Sequence, residues 1–172
     1  MKRQKGFSLI ELLIVVAIIL IIAAIAIPNL LRSRMAANEA SAAASLRTIS
    51  TSNVTYSTTY GLGFAGNLID LGPGAGGGAT PLQADLIDSV LASATKSGYD
   101  FLYVAPFTPP TTLTPNNTYT ALGTPDTPDV TGVSHFCVDQ SNVVRKDPLA
   151  AAAPFAPGLN CDDGTGTVFP PI

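Results

Sequence analysis

The feature that most constrains this chain is an unbroken run of sixteen apolar side chains, Leu12 to Ile27, with one carboxylate, Glu11, immediately before it. Counted from Phe7 to Ile27 the stretch has 21 residues. As a helix it would span about 31 Å, the thickness of a bilayer hydrocarbon core. Lys2, Arg3 and Lys5 precede it, and the positive-inside rule predicts that they hold this end in the cytoplasm. Everything after Pro28 is then expected on the periplasmic or outer side.

Three readings fit a basic start followed by an apolar run. A secretory signal peptide would use Ala24-Ile25-Ala26 as its cleavage site, but the run is longer than the usual 7–15 residues. A plain signal anchor explains the length and leaves Glu11 unexplained. A carboxylate this close to lipid costs up to a few kcal/mol, less toward the bilayer edge, so it implies a partner.

The third reading accounts for both. The segment Lys5-Gly6-Phe7-Ser8-Leu9-Ile10-Glu11-Leu12-Leu13-Ile14-Val15-Val16 resembles the class III signal of type IV pilins and type II secretion pseudopilins. The resemblance implies a leader, residues 1–6, removed by prepilin peptidase after Gly6, and N-methylation of the new terminus, Phe7. It further implies that Glu11 pairs with the terminal amine of a neighbouring subunit and sets its stagger in a filament. An intrachain contact is the simpler alternative, since positions i and i+4 share a helix face. Pro28 falls where many pilins carry a helix-disrupting proline, and its missing donor predicts a kink or local melting.

Beyond Pro28 the helix is expected to continue as an amphipathic stretch over residues 29–56. Met35, Ala42, Leu46, Ile49 and Tyr56 recur on one face, whereas Arg32, Arg34, Glu39 and Arg47 read as a solvated face. Residues 57–79, ending in Gly72-Pro73-Gly74-Ala75-Gly76-Gly77-Gly78, read as a flexible surface loop. Thr80-Pro81-Leu82-Gln83 has the form of a capping box with proline at the first helical position. It predicts a short helix with Leu82, Leu86, Val90 and Ala94 on one face and Gly98 as its stop. Together these make a loop-and-short-helix region over 57–98.

The period then changes to two. Tyr99, Phe101 and Tyr103 alternate with Asp100, Leu102 and Val104, as in a strand. Asn117 to Leu122 is a weaker strand candidate. Val133 to Val138 and Val143 to Lys146 flank a predicted turn at Asp139-Gln140-Ser141-Asn142. An antiparallel sheet over residues 99–147 is therefore expected, packed against the outer half of the helix. The phrases Ser97-Gly98-Tyr99-x-Phe101 and His135-Phe136-Cys137-Val138-Asp139-Gln140-Ser141 resemble the C-terminal domain of some pilin-like proteins. The fold class is thus α+β and type IV pilin-like, with a tail, residues 148–172, tied back by a disulfide between Cys137 and Cys161. Behind an export segment, two cysteines point to that bond; the resemblance places such a loop on the exposed surface of the subunit.

Catalytic and cofactor readings find little support. His135 is the only histidine, so Ser-His or Cys-His chemistry would rest on it alone, and its place in a predicted strand favours a structural role. Two cysteines and one histidine are too few for a zinc site. Asp85 and Asp88 sit where carboxylates complement a helix start, and Asp162-Asp163-Gly164 reads as a solvated turn rather than a calcium loop. Asn53-Val54-Thr55 and Asn116-Asn117-Thr118 fit the glycosylation sequon. Without the first six residues the chain holds six basic and twelve acidic side chains, a net charge of −6 against −3 for the precursor. Nucleic acid is not an expected partner.

The sequence therefore predicts no enzyme, no cofactor and no metal. The expected protein is a filament subunit, single-pass in the inner membrane before assembly and in an extracellular pilus or a periplasmic pseudopilus afterwards. Its expected partners are prepilin peptidase, identical or related subunits, inner-membrane assembly machinery and membrane lipid. A secretion pseudopilin and a signal-anchored periplasmic binding module are the alternatives.

Overall fold

A computed structural model describes residues 8–74, 76, 78–147, 161, 171 and 172. The chain divides into two compact units, Met1–Arg34 and Met35–Ile172, which share one helix, α1, spanning Leu9–Tyr60. The helix runs on through Pro28, so the proline neither ends nor melts it. It also extends four residues beyond the boundary expected at 56.

In the second unit α1 is followed by α2 (Leu68–Leu71), α3 (Ser89–Ala92), and strands β1 (Thr95–Lys96), β2 (Tyr99–Val104), β3 (Thr120–Pro125), β4 (His135–Asp139) and β5 (Arg145–Asp147). The strands form one antiparallel sheet in the order β1-β2-β3-β4-β5. This is the α+β, type IV pilin-like fold that the resemblance implied. Alternation decides which side chains meet the helix. Tyr99, Phe101, Ala121, Phe136 and Val138 join Ala42, Leu46, Ile49 and Tyr56 in one buried cluster. Gly123 pairs with Phe101 in the β2–β3 register. A Cβ there would lie 3.3 Å from the Phe101 ring and 3.7 Å from Leu46, so a side chain would require the Phe101 ring to give way by a few tenths of an ångström.

The helix face contains more than the apolar stripe. Asn53 fills the gap between Ile49 and Tyr56 and is fully buried. Its Oδ1 accepts from the Ala65 N–H (3.1 Å), and the Tyr103 hydroxyl lies 2.9 Å away. The Ser52 hydroxyl donates to the Leu86 carbonyl and the Ser50 hydroxyl to Asn142 Oδ1. Burial pushes the Tyr56 hydroxyl up to about 12, and it donates to the Pro81 carbonyl instead.

Four expectations are corrected. Residues 57–79 are not all surface loop: Ala65, Leu68 and Leu71 are core residues, and α2 begins with a capping box in which Asn67 and Asp70 exchange side-chain-to-backbone bonds. No helix starts at Thr80. Thr80 and Gln83 bond reciprocally through their backbones, and Asp85 takes a left-handed φ of 54° that a helix cannot accommodate. Ala84, Asp85 and Leu86 bond instead to the carbonyls of Asp70, Gly72 and Leu71. The helix begins only at Ser89, capped by Asp88, leaving Leu82 and Val90 exposed.

Gly98 is not a helix stop either. With Ser97 it forms a two-residue turn between β1 and β2, both residues at positive φ (53° and 73°), as a type I′ hairpin requires. Because of β1, Cys137 belongs to the fourth strand rather than the third.

Glu39 is the fourth. Its carboxylate is not on a solvated face: it accepts from the N–H groups of Val133 (3.0 Å) and Ser134 (3.1 Å) and pairs with Lys146 (3.0 Å). Burial raises its pKa, but the Val133, Lys146 and Ser134 donors outweigh that and hold it below 4.5. A carboxyl depressed in the folded state contributes stability above its unfolded pKa and loses it as pH falls through the folded value. Thermal midpoints between pH 7 and 3 should therefore decline through the range below 4.5, and Glu39→Gln should flatten part of that decline. Parallel curves for the two proteins would remove Glu39 from the acid response.

Cys137 and Cys161 are disulfide-bonded and, with Leu122, form a second buried cluster. By strand alternation Leu122 and Cys137 lie on the sheet face away from α1, and the Cys161 N–H donates to Asp139 Oδ2. The rest of the tail, 148–160 and 162–170, lies outside the described residues, and with it the Asp162-Asp163-Gly164 turn. The cysteines are 24 positions apart, for which loop closure contributes on the order of 3 kcal/mol in the chain-entropy model. Reduction is expected to lower the unfolding midpoint and to speed proteolysis within 148–172 first. A tail cut equally fast with the bond open or closed would contradict this.

Candidate functional site

The candidate site is the first half of α1. Leu9 to Leu31 has helix-forming composition apart from Pro28, and its large apolar side chains are all exposed. Leu12, Ile14, Ile18, Ile22 and Ile25 are each half or more exposed. The most apolar eighteen-residue window has a mean hydropathy of 3.3 and none of it is buried. A helix apolar all round belongs inside a protein core or a membrane.

Its first turn is built by two residues. The Glu11 carboxylate accepts the Ser8 backbone N–H through Oε2 at 3.0 Å, and the Leu12 N–H reaches the Ser8 carbonyl at 3.3 Å. This is the Glu half of an S-x-x-E capping box, which satisfies a helix-start donor with the carboxylate at the positive end of the helix dipole. The signal for it is the S-x-x-E spacing of Ser8-Leu9-Ile10-Glu11, which the i+4 relation of Glu11 to Phe7 obscures. No described cation pairs with Glu11. Gly6 and Phe7 lie outside the described residues.

The sites set aside earlier have structural surroundings. Asn53 and Asn116 are both fully buried, so neither sequon presents its amide to a glycosylating enzyme in the folded body. Asn116 was not expected to matter, yet its amide binds the Phe64, Ala65 and Phe107 carbonyls and accepts the Phe107 N–H. His135 stands opposite Asp147 in the β4–β5 register; burial lowers its pKa, with Asp147 opposing. A concavity of about 420 Å³ beside α1 is lined by Arg47, Thr48, Thr51, Ser52, Thr55 and Leu86, a set without an acid–base pair or a nucleophile beside a base.

Comparison with known proteins bears on the same segment. Residues 1–27 match the family described as the prokaryotic N-terminal methylation motif. Over 39 residues the chain is 64% identical to the type IV wide pilus major component PilA4 of Thermus thermophilus, covering 23% of this chain and 30% of that protein. Over 54 residues it is 44% identical to the type IV major pilin protein PilA of Myxococcus xanthus, covering 31% of this chain and 24% of that one. The chain thus spans less than a third of the length of each of these relatives.

Proposed function

We propose that this chain, whose N-terminal segment is that of the type IV pilin family, is a structural subunit of a type IV pilus. It enters the inner membrane as a prepilin, is cut by prepilin peptidase between Gly6 and Phe7, is N-methylated at Phe7, and polymerises with identical or related subunits. The observation that carries this reading is the division of labour along α1. One half packs a sheet and completes a core, while the other leaves every large apolar side chain from Leu9 to Leu31 exposed.

Such a surface is stable in lipid, or against copies of itself in a filament, where burial contributes about 25 cal/mol per Å². Inner-membrane assembly machinery moves the subunit between the two. The role is structural and requires no catalytic group. Mass spectrometry of the purified protein's N-terminus tests the reading. A methylated Phe7 supports it, a terminus at Ile27 means signal peptidase, and an uncut Met1 means a simple anchor. Surface filaments seen by electron microscopy would separate a pilus from a secretion pseudopilus.

A further inference from the structure

Residues 35–172 hold four basic and eleven acidic side chains, a net charge of −7, and their ion pairs include Lys96–Asp88 and Lys146–Glu39. Against that background Arg32 and Arg34 stand apart. Both are exposed on α1, no described carboxylate pairs with either, and the hydroxyl between them is committed to the helix, Ser33 donating to the Asn29 carbonyl at 3.0 Å. Their neighbours Leu30 and Leu31 are still more than half exposed.

We propose that Arg32 and Arg34 bind the phosphates of anionic lipid headgroups on the outer face of the membrane and fix the depth at which the unassembled subunit waits. The inference rests on the membrane-spanning reading above. Because α1 is continuous through Pro28, the helical rise sets their height. Arg32 lies about 7.5 Å and Arg34 about 10 Å beyond Ile27 along the axis. The headgroup layer is roughly 5–8 Å thick on each side. Cα–Cβ bonds in a helix tilt toward its N-terminus, which here means back toward the bilayer. The long stems therefore run back over the preceding turn, that of Arg34 over Leu30 and Leu31 and that of Arg32 over Pro28 and Asn29, which sets the guanidinium groups at phosphate level. The planar guanidinium takes phosphate through two parallel bonds.

Leader removal sharpens the effect. It deletes Lys2, Arg3 and Lys5, so Arg32 and Arg34 become the basic side chains nearest the span, both on its outer side. Orientation is thereby set before cleavage, and the outer arginines act as the depth stop after it.

The chain contains no tryptophan, so Leu30→Trp supplies a single fluorescent reporter in the full-length protein reconstituted into vesicles. Brominated phosphatidylglycerol should quench it more than brominated phosphatidylcholine at equal mole fraction, a preference of up to about fivefold per arginine that shrinks as salt rises. The double variant Arg32→Gln/Arg34→Gln should lose the preference while keeping ordinary quenching by both lipids. Equal quenching by the two lipids in the arginine protein would overturn the proposal and leave the membrane span intact. If a salt-sensitive association between copies disappeared in the double variant instead, the arginines would belong to a second copy of the chain, again overturning it. Absence of quenching by either lipid would sink the membrane-spanning reading itself.

Discussion

Glu11→Ala is expected to insert in the membrane normally and to abolish surface filaments. Insertion should not suffer, because removing a carboxylate from the lipid boundary removes a cost of up to a few kcal/mol. Growth should, because the resemblance to pilins implies a charged hydrogen bond between Glu11 and the amine of a neighbouring subunit, which each addition would then lose. Bonds of that kind contribute about 1.5–3 kcal/mol, so the equilibrium for each addition falls by a factor of roughly 10 to 150. The contact between Glu11 and the Ser8 N–H complicates the alanine result, since the same substitution removes a helix cap. Glu11→Gln separates the two effects. It keeps an oxygen for Ser8 and gives up the charge, so a filament-free Gln variant assigns the role to the ion pair. Normal piliation in both variants would exclude Glu11 from assembly.

How much was legible depended on whether a residue's partner lay close in sequence. The stripe Ala42, Leu46, Ile49 and Tyr56 and the alternation in β2 are local periodicities and match the buried faces, whereas Met35, expected on the same stripe, is only partly buried and stays outside the core cluster. Asn53 completes that stripe at regular helical spacing but is polar, so a hydrophobic pattern skips it. β1 has two residues, too few for any period to register, and α2 is hidden by its Gly- and Pro-rich surroundings. The helix expected from Thr80 matched a good local signal that lost to pairing with residues 70–72. Glu39 depends on backbone donors 94 and 95 positions away; nothing near it in sequence distinguishes it from Arg32 or Arg47. The N-terminal segment was legible as a motif, matching the prokaryotic N-terminal methylation motif over residues 1–27, because such a motif is a fixed order of residue types rather than a fold.

The largest stability loss is expected from a residue that presents no apolar surface. Asn116 joins the region after α1 to the loop before β3. Its backbone N–H donates to the Leu62 carbonyl and its carbonyl accepts from Phe64, while its amide binds the carbonyls of Phe64 (3.2 Å), Ala65 (3.3 Å) and Phe107 (2.8 Å) and the Phe107 N–H (2.9 Å). Gly63 adopts a φ of +75°, and a Cβ on it would overlap the Asn116 carbonyl, so the two segments touch backbone to backbone. Asn116→Ala removes the amide's bonds to the Phe64, Ala65 and Phe107 carbonyls and to the Phe107 N–H, although the Tyr103 hydroxyl still lies 3.0 Å from the Ala65 carbonyl. Ala65 is fully buried, whereas Phe107 is 43% exposed, so water recovers part of the loss around Phe107 and little around Ala65. At about 1–3 kcal/mol for each buried group left unpaired, the net cost is about 3 kcal/mol. That corresponds to a fall of roughly 10 °C in the midpoint for a body of this size. Asn53→Ala should overlap with it rather than add, because Asn53 accepts the N–H of the same Ala65 whose carbonyl Asn116 holds, and groups sharing a partner couple. Thermal unfolding of the full-length protein in detergent, followed by circular dichroism for both single variants and the double, measures this directly. A midpoint unchanged in Asn116→Ala would show that the amide is dispensable, and strict additivity would show that the two asparagines hold Ala65 independently.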